Sequence, residues 1–134
     1  MRTIFHLSLP VRDLAQASAF YVERLGARVG RREETWLDIL LWGHQITLQL
    51  RPDEVLSPEQ QGKRHFGAVL PWAEWEGLAQ RLEAEGCAFY RAPQVLHAGT
   101  PDEQAKLYLR DPSDNVIELK AYRDVPGVLG LDGG

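Results

Sequence analysis

Apolar and polar residues alternate with the two-residue period of a β-strand along several short stretches of the chain. Phe5, Leu7 and Leu9 take one parity, with His6 and Ser8 on the other. Leu37, Ile39 and Leu41 oppose Trp36, Asp38 and Leu40, and Ile46, Leu48 and Leu50 oppose Thr47, Gln49 and Arg51. The alternation returns further on. Phe66, Ala68 and Leu70 oppose His65 and Gly67; Leu107 and Leu109 oppose Lys106, Tyr108 and Arg110; Ile117, Leu119 and Ala121 oppose Glu118 and Lys120. Two segments change period: Leu14, Ala17, Tyr21 and Leu25 recur at helical spacing, as do Trp75, Leu78, Ala79 and Leu82, so each predicts a helix with one apolar stripe. Asp13 with Gln16 three positions on has capping-box spacing, and Gly26 and Gly86 stand where left-handed residues end helices.

The order of elements repeats. FHLSLPV, a helix over DLAQASAFYVERLG and extended runs ARVGR, WLDILL and ITLQLR are followed by HFGAVLP, a helix over AEWEGLAQRLEAEG and runs CAFYR, AKLYLR and VIELKAY. His6 precedes Gly26 by 20 positions and His65 precedes Gly86 by 21. The pattern predicts an α+β fold of two tandem βαβββ modules in a single domain, with module 1 at about 1–52 and module 2 at about 64–123. The polar segment 53–63, which falls within PDEVLSPEQQGK, reads as an exposed linker, and Ala92 to Glu103 reads as a second long loop. The tail 124–134 is expected to be flexible or to pack on a partner subunit.

In each strand one face is apolar and suits the helix. The other face could be solvated, as in many antiparallel sheets, but solvated faces favour Lys, Glu and Thr. Here that face holds two histidines, a tryptophan, a tyrosine and a glutamine, which suits a half-buried cavity inside two cupped sheets with the helices outside.

His6 and His65 each open the first strand of a repeat, so the internal two-fold is expected to bring them together. Glu118, after the turn DPSDN and between Ile117 and Leu119, places a carboxylate on the cavity side of a strand, where it needs a cation or donors. Two imidazoles and a carboxylate form a metal-ligand set with open coordination positions, so His6, His65 and Glu118 are the expected metal ligands.

At 134 residues, 44% hydrophobic and 25% charged, the chain has an ordinary globular composition. Its net charge of −4 argues against a nucleic-acid or anionic-membrane surface, leaving a small molecule as the expected partner. No apolar run approaches a membrane span or the core of a signal peptide, so a cytoplasmic location is expected. The single cysteine, Cys87, fits a reducing compartment and is expected to be a buried structural thiol at the start of a strand.

Three stretches carry a family resemblance over residues 3 to 123: FHLSLPVRDLAQASAFYVERLG, HFGAVLP and EQAKLYLRDPSDNVIELKAY, with the strand histidines and DPSDNVIEL the specific part. On these the chain resembles the vicinal oxygen chelate superfamily of glyoxalase I, extradiol dioxygenases, fosfomycin-resistance transferases and bleomycin-binding proteins. The resemblance implies paired βαβββ modules around a divalent metal held by His6, His65 and Glu118, and a homodimer. Glyoxalase I takes a fourth ligand from the strand that here reads ITLQLR, whose cavity-facing candidates are Thr47 and Gln49; Gln49 is the fourth-ligand or substrate-contact candidate, but no carboxylate is present. A three-ligand site implies extradiol-dioxygenase-like chemistry with Fe2+ favoured, Mn2+, Zn2+ and Ni2+ being accepted by the same set. Tyr108, on the strand beside that of Glu118 in the family fold, is the acid/base candidate, and Glu118 is counted as catalytic with it.

Ser8, Trp36, Thr47, Gln104 and Lys106 are the expected substrate contacts. Asp38 is a candidate to orient a ligand histidine, His44 and Gln45 to serve hairpin geometry or hydrogen bonds behind the site, and His97 to cover it. Two alternatives accompany the oxygenase reading: a lyase, isomerase or thiol transferase using another metal, and a metal-free protein that sequesters a drug or metabolite.

Overall fold

A computed structural model describes residues 1–131, and the chain divides into two units, Met1–Arg64 with Arg110–Asn115, and His65–Leu109 with Val116 onward.

The first unit contains β1 (His6–Val11), α1 (Leu14–Leu25), β2 (Arg28–Arg32), β3 (Trp36–Leu41) and β4 (His44–Leu50) in the sheet order β1-β4-β3-β2. β1 runs parallel to β4, and β3 is antiparallel to both β2 and β4. The stripe of α1 buries Ala17, Tyr21 and Leu25 over Leu37, Ile39, Ile46 and Leu48, at about 1.5–3 kcal/mol for each large apolar side chain. Asp13 accepts a hydrogen bond from the Gln16 amide at 2.8 Å, and Gly26 ends the helix at φ 75°, a conformation only glycine adopts without strain. The β3–β4 turn has positive φ at both Trp42 and Gly43, the hand that matches strand twist. The expected apolar face of β1 is less buried than that of the central strands: Leu7 and Leu9 are half-buried and Phe5 is exposed. β1 is an edge strand, whereas α1 covers β2, β3 and β4.

The expected linker is structured by its own caps. A 3-10 turn spans Pro52–Glu54, and α2 (Pro58–Gln61) begins with a capping box between Ser57 and Gln60. Buried Gln61 donates from Nε2 to the carbonyls of Leu56 and Asp114, at 3.0 and 2.8 Å.

The second unit repeats the topology with β5 (Phe66–Val69), α3 (Trp72–Ala84), β6 (Arg91–Leu96), β7 (Gln104–Arg110, its last residue grouping with the first unit) and β8 (Val116–Tyr122), ordered β5-β8-β7-β6 with β5 parallel to β8. The α+β fold of two βαβββ repeats is therefore the observed one. Trp75, Ala79 and Leu82 line the buried side of α3, and the Trp75 indole donates to the Leu119 carbonyl at 2.9 Å.

Two local expectations are corrected. The strand placed at CAFYR lies at Arg91–Leu96 instead, inside the expected loop, because an edge strand tolerates Pro93 and the ladder shifts register between Arg91 and Gln94. Cys87 consequently precedes the strand and is half-buried, not buried. The tail begins with a short helix, α4 (Val125–Leu129), whose Gly127 amide donates to Asp124 at 3.1 Å. Its last residues, 132–134, lie outside the described residues. Among the described residues no helix is long and apolar enough to cross a membrane.

Candidate functional site

Strand register places the expected site residues in rows on the polar face of each sheet. In the first unit His6 pairs with Gln45 and Gln45 with Leu40; Ser8 pairs with Thr47 and Thr47 with Asp38; Pro10 pairs with Gln49 and Gln49 with Trp36. In the second unit Gly67 pairs with Glu118, while Tyr108, Lys106 and Gln104 of β7 pair with Arg91, Gln94 and Leu96 of β6.

The first face is organised by Asp38. Its carboxylate is buried, accepting from the Thr47 hydroxyl at 2.6 Å, from Arg31 Nε at 2.9 Å and from Gln45 Nε2 at 3.5 Å. The role of orienting a ligand histidine is thus replaced, since these three donors hold the carboxylate. The Arg31 guanidinium lies 5.2 Å from the centre of the Trp36 ring, within cation–π range. His6, Arg31, Asp38 and Gln45 border a cavity of about 460 Å3. Ser8 accepts from Gln49 Nε2 at 3.3 Å beside a second cavity of about 390 Å3 that Pro10, Arg51 and Glu54 complete. His44 opens β4, and its Nδ1 accepts from the Phe5 amide just before β1 at 2.9 Å. His97 sits at φ 55° in the loop after β6, where its carbonyl accepts from Thr100.

On the second face Glu118 is 5% exposed and pairs with the Lys120 ammonium at 3.1 Å. A hydrogen bond to Tyr122 and, after it, the bond and charge of Glu118 hold Lys120 above its ordinary pKa. Across the ladder from Glu118 stands Gly67; a Cβ there would collide with the Glu118 carbonyl oxygen, so the strands approach in a way only glycine allows. The ring of His65 meets Tyr108 edge-on at 5.7 Å. Tyr108 also meets Tyr90 at 6.4 Å, and the Arg91 guanidinium lies 5.7 Å from the Tyr108 ring. Lys106 and Gln104 are half-buried further along β7, with Gln104 Nε2 donating to the Asp102 carbonyl at 3.4 Å.

Thus His65, Tyr108 and Glu118 belong to the second unit and His6, Ser8, Trp36, Thr47 and Gln49 to the first. Among the described residues no three His, Cys, Asp or Glu side chains form a group that could hold a metal ion. The register also identifies the first unit's counterpart of Glu118. Ser8 opposes Thr47 as Gly67 opposes Glu118, so the equivalent position carries a neutral hydroxyl already committed to Asp38, and Gln49 lies two pairs further along.

The turn DPSDN proves to be a structural knot. Asp111, 3% exposed, accepts from Tyr21 Oη at 2.8 Å, from the Ser113 and Asn115 amides at 2.8 and 3.0 Å, and from Asn115 Nδ2 at 2.8 Å. Ser113 Oγ accepts from the Arg12 amide at 2.8 Å, and Asn115 Nδ2 also reaches the Pro10 carbonyl at 3.1 Å. This knot is why residues 110–115 group with the first unit. Burial raises the Asp111 pKa against the lowering effect of these donors, and burial first, then the neighbouring carboxylate, raises that of Tyr21.

Sequence reasoning missed Arg31 and Arg91, and Lys120 as the partner of Glu118. A signal for the arginines existed: each stands five residues after the glycine that ends its helix, Gly26 and Gly86.

Comparison with known proteins agrees with this architecture. Residues 3–119 match the family described as the Glyoxalase/Bleomycin resistance protein/Dioxygenase superfamily. The chain is 30% identical over 125 residues to the catechol-2,3-dioxygenase of Bacillus subtilis, covering 90% of this chain but 41% of that protein. It is 24% identical over 120 residues to the glutathione transferase FosA of Serratia marcescens, covering 89% and 80% of the two chains. The crystal structure of a glyoxalase/bleomycin resistance protein/dioxygenase from Alicyclobacillus acidocaldarius superposes with a TM-score of 0.81 at 31% identity, covering 91% and 92%.

Proposed function

Because the chain belongs to the Glyoxalase/Bleomycin resistance protein/Dioxygenase superfamily, we propose that it is a divalent-metal-dependent enzyme with a 2-His-1-Glu ligand set, acting on a small substrate that chelates through two oxygens. One observation carries the reading: Glu118 is a buried carboxylate on the polar face of β8, opposite a glycine that adds no side chain above it, in the same unit as His65. By the chemistry of their donors, imidazole and carboxylate, His6, His65 and Glu118 are the residues that would hold such an ion, although among the described residues they do not form one group. Thr47 in the position equivalent to Glu118 supports three ligands over four. Such an ion supplies Lewis acidity towards the substrate hydroxyls and, as Fe2+, reactivity with dioxygen.

The chain's own groups then divide the work. Tyr108, edge-on to His65, holds and returns a proton at its phenol oxygen, and Glu118 binds the ion. The candidate substrate contacts are Ser8 and Trp36 on the first unit's polar face and Gln104 and Lys106 on the second's. Resemblance to the catechol dioxygenase makes a catechol the first substrate to try, and resemblance to the glutathione transferase makes thiol transfer the next.

Anaerobic Fe2+ and Zn2+ binding, measured by elemental analysis after desalting, tests the ligand set. About one ion per chain is expected, with loss in His6→Ala, His65→Ala and Glu118→Gln; retention in all three variants refutes it. Oxygen uptake with catechol then tests the chemistry.

The Glu118–Lys120 pair favours one second reading. It gives the buried carboxylate a partner without any ion, as a metal-free ligand-sequestering protein requires. Failure of the wild type to retain either ion selects this reading.

A further inference from the structure

Arg31 presents a fixed guanidinium edge to the first unit's cavity, and we propose that it recognises the carboxylate of a planar substrate. Three observations carry this. First, the guanidinium is held at two points: Nε donates to Asp38 at 2.9 Å, and its carbon lies 5.2 Å from the centre of the Trp36 ring. An arginine so held has already lost most of the rotamer freedom that anion binding would cost it. Second, the anchor does not consume the charge-bearing edge. Asp38 is buried and shared with Thr47 and Gln45, yet the Arg31 side chain is 76% exposed, and neither of its terminal nitrogens hydrogen-bonds to a described residue. A guanidinium serving only to neutralise Asp38 would gain nothing from that exposure. The free pair of nitrogens matches a carboxylate's two oxygens.

Third, the surroundings suit a flat, partly apolar body attached to that carboxylate. The cavity of about 460 Å3 lies within the range of small-molecule sites and is also bordered by Ile4 and Leu40, both more than 40% exposed, and by His6 and Gln45. Gly30, beside Arg31, leaves the space over Asp38 open, since a Cβ there would sit 3.4 Å from Asp38 Cβ. The predicted ligand class is a small aromatic carboxylate, with its ring on Ile4 and Leu40 and its carboxylate on Arg31. Asp38 is then a positioning residue that aims the guanidinium.

The inference deepens the proposed function, resting on its assignment of this face to substrate, but its test needs neither ion nor turnover. Benzoate and benzamide are titrated into the full-length protein as purified, by calorimetry, with wild type, Arg31→Gln and Arg31→Lys. Benzoate is expected to bind wild type more tightly than benzamide does, and to lose about tenfold or more in Arg31→Gln. Benzamide binding stays unchanged. Arg31→Lys keeps the charge without the fork and lies between; it also decides the matter if the glutamine variant does not fold. Equal benzoate affinity in wild type and variants overturns the proposal, as does benzoate binding no tighter than benzamide. Arginine-dependent benzoate binding in a protein that retains no ion leaves this inference standing and removes the metal reading, and the converse result does the opposite.

Discussion

Removing one oxygen atom from Tyr21 tests whether the DPSDN turn is the knot described above. Tyr21 is fully buried, and its hydroxyl donates to Asp111 at 2.8 Å. In Tyr21→Phe the carboxylate oxygen that accepted this bond keeps Asn115 Nδ2, also at 2.8 Å, so nothing charged is orphaned. The loss is therefore that of one bond to a charged acceptor, about 2 kcal/mol. For 134 residues this corresponds to a fall in Tm of roughly 7 °C, and to a urea midpoint lower by about 1 M. Asp111→Ala is more severe because it strands three donors at once, Tyr21 Oη and the amides of Ser113 and Asn115, at about 1–3 kcal/mol each. Urea unfolding of wild type, both single variants and the double variant at pH 8 closes a double-mutant cycle. A coupling of about 1.5–3 kcal/mol is expected. Additivity of the two variants to within about 0.5 kcal/mol would mean that the bond does not hold the turn to α1.

Burial places the folded pKa of Asp111 above its unfolded value of about 3.9. Its ionisation therefore costs stability: the contribution is fully present below about pH 3.9 and is lost as pH rises through the folded value. Unfolding free energies of wild type and Asp111→Asn, measured from pH 4 upward, should thus shift in the variant's favour as pH rises, and a shift the other way contradicts the raised pKa. Gly67→Ala drives a methyl into the Glu118 carbonyl and should cost about 3 kcal/mol or abolish folding, read from chemical denaturation; a loss below about 0.5 kcal/mol would refute the close approach. Asp13→Ala removes the cap of α1 and should cost about 1 kcal/mol, with Asp13→Asn restoring most of it in the same assay.

Much of the fold was legible because periodicity and caps are local properties. The parity of Leu37, Ile39 and Leu41 against Asp38 is set by backbone geometry alone, and these three side chains are buried as the alternation requires. The helix from Leu14, its aspartate cap and its glycine stop follow from residues within one turn of each end. The repeat from His6 to His65 predicted the shared strand order because like elements in like order pack alike. Edges were less legible: the strand expected at CAFYR formed at Arg91–Leu96, where pairing with β7 outweighs the breaking signal of Pro93.

The sequence by itself determined which residues share a face, and so it put His65, Tyr108, Glu118 and Lys120 on one set of strands and His6, Ser8, Asp38 and Thr47 on another. Tertiary structure decided which of them meet. Whether Asp38 faces a histidine or an arginine depends on the strand-to-strand register and on the shift in β2 that carries Arg31 alongside it. Whether Asp111 serves chemistry or holds a turn depends on a tyrosine 90 positions away. Alternation along one strand carries no information about its neighbours' register, because a one-residue slip changes every cross-strand partner.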